Sequence, residues 1–250
     1  MKITAVTLDF ADTLYPHRPR ELARILQGVA DYLTPHLPPF AFEDFRAKQL
    51  EVRTRQFAEN RPTLHENDLV ARMRETILHL APDIARDAER VEELSHGAVE
   101  AYGQAFVRAM EMPSFLPDVL SQLAERFPLV VISNYPVSVP IVQTLERDGL
   151  TRFLKAVVVS ADVGFVKPHP LLFQTALAAL NSPPPGEVVH VGDDWDADIL
   201  GAGAVGLQTI YTTQWRDEPD KQYQTGTVRP CAEISDLHDL PTLLDRLTAS

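Results

Sequence analysis

The sequence predicts an α/β fold, a doubly wound parallel sheet with an all-helical segment inserted after the first strand. From residue 113 onward, short apolar stretches alternate with helical patterns, and this alternation is typical of a parallel sheet. Between residues 16 and 112, the pattern is helical throughout, with loops but no strands. We therefore expect an α/β core formed by residues 1–15 and 113–250 and a helical cap formed by residues 16–112.

The part of the chain before residue 113 predicts one strand followed by helices. Residues 3–10 are short, apolar and β-branched and lead into a polar loop, as a buried strand does. Apolar residues then recur at helical spacing from Leu22 to Leu33, until Pro35 and Pro38 interrupt the pattern. Further helices are predicted at residues 42–58, 69–80 and 87–110.

The part of the chain after residue 113 supplies the rest of the predicted sheet and the helices that cover it. In open sheets of this kind, ligands bind beyond the carboxyl ends of the strands, where an insertion after the first strand would also lie. Helices are predicted at residues 117–125, 139–148, 171–180, 196–204 and 237–247, and strands at residues 129–133, 156–160, 188–191 and 208–211.

The composition is that of a globular protein and disfavours nucleic acid and membrane partners. Asp and Glu number 35 against 23 Lys and Arg, and the formal net charge of -12 repels nucleic acids and anionic membrane surfaces. No stretch approaches the roughly 18 consecutive apolar residues that a membrane span needs. With Cys231 as its one cysteine, the chain fits a reducing compartment, and we expect it in the cytoplasm. The sequence leaves the oligomeric state open.

Polar residues follow several of the predicted strands and should meet in one crevice. Facing carboxylates need a cation between them, and ligand sets made only of oxygen suit Mg²⁺. A lysine and a serine hydroxyl beside such a site suggest that it binds a phosphoryl or carboxylate group. The residues concerned are Asp9 and Asp12, Ser133 and Asn134, Lys167, and Asp193, Asp194, Asp196 and Asp198.

Four stretches in this order resemble the haloacid dehalogenase superfamily, in particular its members with a helical cap inserted after the first strand. They are VTLDFADTL, VVISN, VGFVKPHPLLF and VVHVGDDWDADILGAGAVGL. The resemblance implies a Rossmann-like core, an anionic small-molecule substrate and hydrolytic chemistry. By the same resemblance, Asp9 is the nucleophile, Ser133 donates a hydrogen bond to the transferred group, and Lys167 pairs with both. Asn134, beside Ser133, is expected to help bind the substrate.

The resemblance also implies a magnesium site. Asp9 and Asp193 would be direct ligands, and the backbone carbonyl of Ala11 would be the third ligand from the protein. Asp198 would act directly or through water. Because these metal ligands are retained, we expect a phosphatase that acts on a small phosphorylated metabolite.

The sequence departs from the phosphatases of this family at Ala11, where they carry an aspartate that protonates the leaving oxygen and then activates water. Asp12, one residue further on, is a candidate substitute. A different alternative is a catalytically weakened binding protein on the same scaffold.

Two other branches of the family also lack an acid at this position. Haloacid dehalogenases expel halide without a proton donor, and the segment FRAKQLE resembles theirs, with Arg46 as the arginine that binds the substrate. Phosphonoacetaldehyde hydrolases carry an alanine here and use a cap lysine, for which Lys48 is the candidate. Arg46 and Lys48 lie about 200° apart on a helix, so only one of them can face the crevice.

Overall fold

In the computed structural model, which describes residues 2–216 and 229–249, six parallel strands form one sheet. The strands are β1 (Ala5–Asp9), β2 (Leu129–Ser133), β3 (Leu154–Val159), β4 (Val188–Gly192), β5 (Gln208–Thr212) and β6 (Ala232–Ile234). Their order is β3-β2-β1-β4-β5-β6, and every neighbouring pair is parallel. The strand order reverses between β1 and β4, where a doubly wound sheet opens its ligand crevice. The predicted fold class is therefore confirmed.

Apolar layers on both faces of the sheet explain why its central strands are almost continuously hydrophobic. All residues of β1, β2 and β4 are buried. Ala5 and Ile132 pack with Phe173 on one face, whereas Leu8 and Val131 belong to the cluster on the other face. Strands covered on both faces have this composition because neither face meets water.

The chain after residue 113 also forms helices. They are α5 (Leu116–Ala124), α6 (Ser138–Arg147), α7 (Ser160–Val163), α8 (Pro170–Ala179), α9 (Gly201–Ala204) and α10 (Leu240–Ala249).

The chain between β1 and α5 forms helices without a strand of the sheet, as predicted. They are α1 (Pro19–Leu33), α2 (Phe42–Asn60), α3 (Leu69–Leu80) and α4 (Ala88–Ala109), with a 3-10 turn before α4. Helices α1 and α4 approach so closely that a Cβ atom on Gly28 would lie 2.5 Å from the Cβ atom of Ala105. The proposed cap boundaries at residues 16 and 112 stay a prediction, and residues 1, 217–228 and 250 of the predicted core lie outside the described residues.

The loop between α2 and α3 is bound to the core segment just before Lys167. The amide of Val166 donates to the carbonyl of Leu64 at 2.8 Å, and the amide of Glu66 donates to the carbonyl of Gly164 at 3.0 Å. The Ser160 hydroxyl donates to the Glu66 carboxylate. These bonds hold helices α2 and α3 next to the edge of the sheet that carries the predicted site.

Several predicted elements differ from the structure. Strand β6 was not expected, because its short, partly polar sequence has no clear strand pattern. The predicted helix 196–204 is irregular, since residues Trp195–Leu200 are π-helical and only α9 continues as an α-helix. The predicted strand 156–160 ends one residue early, and Ser160 begins α7. Among the helices of the described residues, none is both long enough and apolar enough to span a bilayer.

Candidate active site

Three buried carboxylates meet where β1 and β4 end. Asp9 is the last residue of β1, Asp193 follows β4 directly, and Asp198 lies in the π-helical turn beyond it. One carboxylate oxygen from each residue lies within 4.8 Å of the others. Because β1 and β4 are neighbours in the sheet, their carboxyl ends bring Asp9 and Asp193 together, and the turn after β4 adds Asp198.

Lys167 bridges two of the carboxylates from a buried position. Its Nζ donates to Asp9 Oδ1 at 2.6 Å, to Asp198 Oδ1 at 2.6 Å and to the carbonyl of Ile132 at 3.2 Å. Burial alone would lower the pKa of Lys167, but the charges of Asp198 and Asp9 outweigh burial and raise this pKa. Lys167 is therefore a fixed cation beside Asp9.

The remaining negative charge of the cluster is only partly compensated by cations of the protein. Burial raises the pKa of Asp9 to about 7, although Lys167 acts in the opposite direction. Burial, followed by the charges of Asp9 and Asp198, raises the pKa of Asp193 to about 9. A divalent cation bound between these oxygens would stabilise their ionised forms, and Mg²⁺ prefers such oxygen ligands. The donor set therefore fits the metal predicted from the sequence.

Asp198 is fully occupied by protein donors. Its Oδ1 atom accepts from Lys167 and lies 3.1 Å from His190 Nε2, and its Oδ2 atom accepts from the amide of Asp194 at 3.0 Å. Lys167 and His190 hold the pKa of Asp198 below its ordinary value, although burial acts to raise it. With both oxygens engaged, a contact between Asp198 and the metal through water is favoured over a direct one.

A glycine at the end of β4 makes this arrangement sterically possible. A Cβ atom on Gly192 would lie 2.3 Å from the carboxyl carbon of Asp198. Such a separation is far below van der Waals contact, and Asp198 cannot move away without losing its hydrogen bonds to Lys167 and His190. Gly192 is thus required by the close approach of the Asp198 side chain.

The residues after β2 have two different environments. The Ser133 hydroxyl is buried and has no hydrogen-bond partner among the described residues, so it is able to donate a hydrogen bond to a bound ligand. Asn134, in place of the expected contact with substrate, binds the backbone of Lys167. Its Oδ1 accepts from the Lys167 amide at 2.6 Å, and its Nδ2 donates to the Lys167 carbonyl at 3.0 Å. Asn134 therefore positions Lys167.

The turn after β1 places Asp12 at the margin of the cluster. Asp12 has a φ of 54°, in the left-handed region that Asp tolerates better than most residues, and its Oδ1 accepts from the amide of His17 at 2.8 Å. The charge of Asp12 adds to the factors that raise the pKa of Asp193, so this carboxylate lies near the cluster. Ala11 is partly buried in the same turn and brings no ionisable group.

The two cap residues predicted for alternative chemistries are not part of the cluster. Arg46 is exposed on α2 and makes no ion pair with a described residue. The Nζ atom of Lys48 lies 2.8 Å from a Glu51 carboxylate oxygen and 3.1 Å from one of Glu75. Hydrogen bonds to Glu51 and Glu75 raise the pKa of Lys48, whereas a lysine that forms a Schiff base must be neutral when it attacks.

Two further residues, His190 and Arg216, contact the carboxylates and were not predicted from the sequence. His190 lies inside β4, where its Nδ1 is 2.9 Å from the Thr7 hydroxyl and its Nε2 faces Asp198. Arg216 donates from Nε to Asp193 Oδ2 at 2.9 Å. Arg216 follows β5, another strand whose carboxyl end meets the same crevice, and this position is the signal that could have identified it.

Known proteins are related to this chain in sequence over most of its length. The family model of haloacid dehalogenase-like hydrolases matches residues 3–206. The 5-amino-6-(5-phospho-D-ribitylamino)uracil phosphatase YigB of Escherichia coli is 32% identical over 97% of this chain and 97% of its own. The ribulose-1,5-bisphosphate 5-phosphatase of Halopiger xanaduensis is 32% identical over 83% of each chain.

Solved structures are similar in fold to this chain over nearly all of its length. A 2-haloacid dehalogenase from Pseudomonas syringae superposes with a TM-score of 0.77 and 26% identity, covering 98% of this chain and 99% of its own. The putative hydrolase YfnB of Bacillus subtilis, whose structure contains magnesium, has the same fold with a TM-score of 0.69 and 20% identity, over 98% of this chain and 100% of its own. The chain therefore belongs to the haloacid dehalogenase-like hydrolases and is a hydrolytic enzyme.

Proposed function

We propose that this hydrolase is a Mg²⁺-dependent phosphatase of small phosphorylated metabolites, with Asp9 as its nucleophile. The observation that carries the proposal is the surroundings of Asp9. Lys167 Nζ lies 2.6 Å from its carboxylate, and Asp193 and Asp198 provide oxygens within 4.8 Å. A carboxylate can attack an anion only where cations offset the repulsion, and this cluster combines a fixed cation with oxygen ligands for a metal. The phosphatase names of two relatives support the same choice.

In the first step, an Asp9 oxygen attacks phosphorus, and the bond between phosphorus and the leaving oxygen breaks. The electron pair of that bond goes to the leaving oxygen, which must take up a proton unless it is stable as an anion. Lys167 holds Asp9 in place and offsets charge on the phosphoryl group. The Ser133 hydroxyl, which has no partner among the described residues, donates a hydrogen bond to the same group. Mg²⁺ held by Asp9, Asp193 and the Ala11 carbonyl, with Asp198 acting through water, would supply further positive charge.

In the second step, water attacks the phosphorus of the aspartyl phosphate. The bond between phosphorus and the Asp9 oxygen breaks, so that the carboxylate is restored and inorganic phosphate is released. Both steps are slower without a group that gives and takes a proton. Ala11 cannot do so, and Asp12 is the carboxylate of the same turn. Because Asp12 already accepts from the His17 amide, we propose that its assistance is weak.

A 2-haloacid dehalogenase is the second candidate. It is favoured by Ala11, because halide leaves without a proton, and by the 26% identity to a dehalogenase of known structure. The retained carboxylate cluster favours phosphatase chemistry instead, since attack on an uncharged carbon needs no metal to offset the charge of a phosphate. Phosphonate hydrolysis is disfavoured because Glu51 and Glu75 keep Lys48 protonated.

The experiment is to measure phosphate release from sugar phosphates, nucleoside monophosphates and an aryl phosphate, with Mg²⁺ and with excess chelator. Chloride release from 2-chloropropionate is followed in parallel. We expect phosphate release that requires Mg²⁺ and disappears in Asp9→Asn. Chloride release that persists with chelator and is lost in Arg46→Ala would instead establish the dehalogenase. Magnesium binding without turnover of any compound would indicate a binding protein.

A further inference from the structure

The residues that follow β5 contact both turns that carry the proposed metal ligands. The strand ends at Thr212, and the indole Nε1 of Trp215 donates to the carbonyl of Thr13 at 3.1 Å. Arg216 Nε donates to Asp193 Oδ2 at 2.9 Å. Thr13 lies in the turn after β1, and Asp193 lies in the turn after β4. Two consecutive side chains therefore join two turns that are far apart in the sequence.

Backbone hydrogen bonds fix this segment in place. The amide of Thr213 donates to the carbonyl of Ile234 in β6 at 2.9 Å, and the amide of Arg216 donates to the carbonyl of Thr213 at 3.0 Å. The side-chain oxygen of Gln214 accepts from the amide of Leu237 at 2.7 Å. A segment bonded in this way positions its side chains when the chain folds, before any ligand binds.

Asp193 needs such a partner because of its neighbours. One of its oxygens lies within 4.8 Å of oxygens of Asp9 and Asp198, and like charges at this separation repel each other. Lys167 bonds to Asp9 and Asp198, whereas Arg216 is the described cation that contacts Asp193. Without Arg216, repulsion would favour rotation of the Asp193 carboxylate away from the other two. The bond from Arg216 therefore sets the orientation of this carboxylate.

Trp215 has the corresponding position at the turn after β1. Its ring stacks against that of Phe115 with 6.5 Å between the ring centres, which orients the indole N–H towards the Thr13 carbonyl. Thr13 follows Ala11 by two residues, and the carbonyl of Ala11 is the proposed backbone ligand of the metal. The hydrogen bond from Trp215 therefore fixes the turn that presents this ligand.

We propose that Trp215 and Arg216 are positioning residues for the metal. Arg216 uses Oδ2 of Asp193 and leaves Oδ1 for Mg²⁺, which commonly takes single carboxylate oxygens together with waters. Metal-binding carboxylates are generally held by hydrogen bonds from residues that do not touch the metal, and loss of these residues weakens metal binding. The inference rests on the magnesium site of the proposed function. It adds that the affinity for Mg²⁺ depends on a segment that provides no ligand itself.

The test is calorimetric titration of the protein with Mg²⁺ in the absence of substrate. In Arg216→Gln the Kd for Mg²⁺ should rise about 10- to 100-fold, as for other residues that orient a metal ligand. In Trp215→Phe, which keeps the ring but loses the N–H donor, the Kd should rise roughly 2- to 10-fold, the value of one neutral hydrogen bond. Arg216→Lys should recover part of the affinity because it keeps the charge.

A matched control and a second measurement separate positioning from folding. Arg126 is 33% exposed, close to the 26% of Arg216, and pairs with Asp245 of α10, so Arg126→Gln should leave the Kd for Mg²⁺ unchanged. The Mg²⁺ concentration that gives half-maximal phosphate release should rise in Arg216→Gln by the same factor as the Kd, and kcat at saturating Mg²⁺ should change less. If Arg216→Gln does not fold, Trp215→Phe still decides.

The inference can fail separately from the proposed function. Wild-type Mg²⁺ affinity in both variants would overturn it and leave the phosphatase proposal intact. Tighter Mg²⁺ binding in Arg216→Gln would also overturn it, because Arg216 would then compete with the metal for Asp193, and an effect in only one variant would overturn the joint role. If the wild type binds Mg²⁺ but hydrolyses no phosphate ester, the phosphatase proposal fails while the affinities still test the positioning. A wild type that binds no Mg²⁺ would overturn both.

Discussion

The charged residues at the edge of the sheet differ from two arginines of helices α2 and α3 in how they are paired. At the proposed catalytic site, called the catalytic edge and defined as Asp9, Lys167, Asp193 and Asp198, protein groups bind each other at hydrogen-bond distance. On the cap face, defined as Arg53 and Arg72, no ion pair with a described residue is formed. The side chains of the catalytic edge are therefore held in place by one another, whereas the charges of the cap face are not held by a described carboxylate.

Loss of Asp9, the proposed nucleophile, should have the largest effect, and this effect should be the same for every substrate. Asp9→Asn keeps the shape of the side chain but removes the attacking charge, so kcat should fall by at least roughly 10⁴-fold. The measurement is phosphate release from each substrate of the panel, with circular dichroism to check folding. Asp196→Asn, an exposed carboxylate two residues from Asp198, should be near wild type. Substantial activity of Asp9→Asn with any substrate of the panel would contradict the role of Asp9.

Metal and pH should change the free energy of unfolding of the protein through the carboxylates of the catalytic edge, and not through the arginines of the cap face. The pKa values of Asp9 and Asp193 are raised from 3.8 to about 7 and about 9 in the folded protein. The unfolded chain therefore loses these two protons at a lower pH than the folded protein does. Without metal, the free energy of unfolding should therefore fall as pH rises from about 4 towards about 9. Saturating Mg²⁺ should raise the melting temperature, and more at about pH 9 than at about pH 5, because ionised carboxylates bind it better.

Calorimetric scans at both pH values check this, with Asp193→Asn as the comparison. That variant should be more stable than wild type without metal at about pH 9, because one buried charge is absent. It should also gain little from Mg²⁺. A wild-type response to Mg²⁺ in Asp193→Asn would refute the metal assignment, and Arg53→Gln should keep the full response.

An aspartate at position 11 should raise the rate of hydrolysis without changing which substrates are preferred. General acid assistance contributes ~100- to 10,000-fold, and Ala11→Asp should recover a visible part of it on alkyl phosphates. An aryl phosphate should gain less, because phenolate leaves without a proton. The ratio of the two rates, measured for wild type and variant, is the readout. If Ala11→Asp abolishes activity and Asp12→Asn silences alkyl phosphate hydrolysis, then Asp12 already supplies the proton.

The smallest expected effect concerns the packing that supports the edge. Gly192→Ala places a methyl group against the Asp198 carboxylate and should lower the free energy of unfolding by about 1–3 kcal/mol. Gly203→Ala, in α9 with open space around it, should be neutral or stabilise by roughly 0.5–1 kcal/mol. Urea unfolding measures both. A neutral Gly192→Ala would show that Asp198 is not held as tightly as its hydrogen bonds indicate.

The catalytic edge was largely predictable from the sequence, because strand ends are local features. Asp9, Ser133 and Asp193 each follow an apolar stretch directly, and parallel pairing brings such ends together. The roles of Asn134 and His190 were not predictable, since their partners, the Lys167 backbone and Thr7, lie far away in sequence. Arg46 was singled out by family resemblance alone, and it lies exposed, outside the cluster.

The cap face was missed because its arginines occur among many charged residues on helices. Arg72 nevertheless carried a signal, since it interrupts the apolar stripe that runs from Leu69 to Ile77 at helical spacing. A charge on the buried side of an amphipathic helix indicates a partner outside that helix. Arg53 gave no such signal, because α2 has few buried residues and its partly buried face becomes visible only in the folded chain.

In the proposed mechanism, Asp9 becomes phosphorylated during turnover. Mass spectrometry of acid-quenched protein detects this phosphorylation directly. Because Ala11 provides no base to activate water, the aspartyl phosphate should accumulate when an aryl phosphate is in excess. We expect one added phosphoryl group, mapped to the peptide that contains Asp9, in wild type and not in Asp9→Asn. Steady turnover with no phosphorylated protein in wild type, together with retained activity in Asp9→Asn, would contradict it.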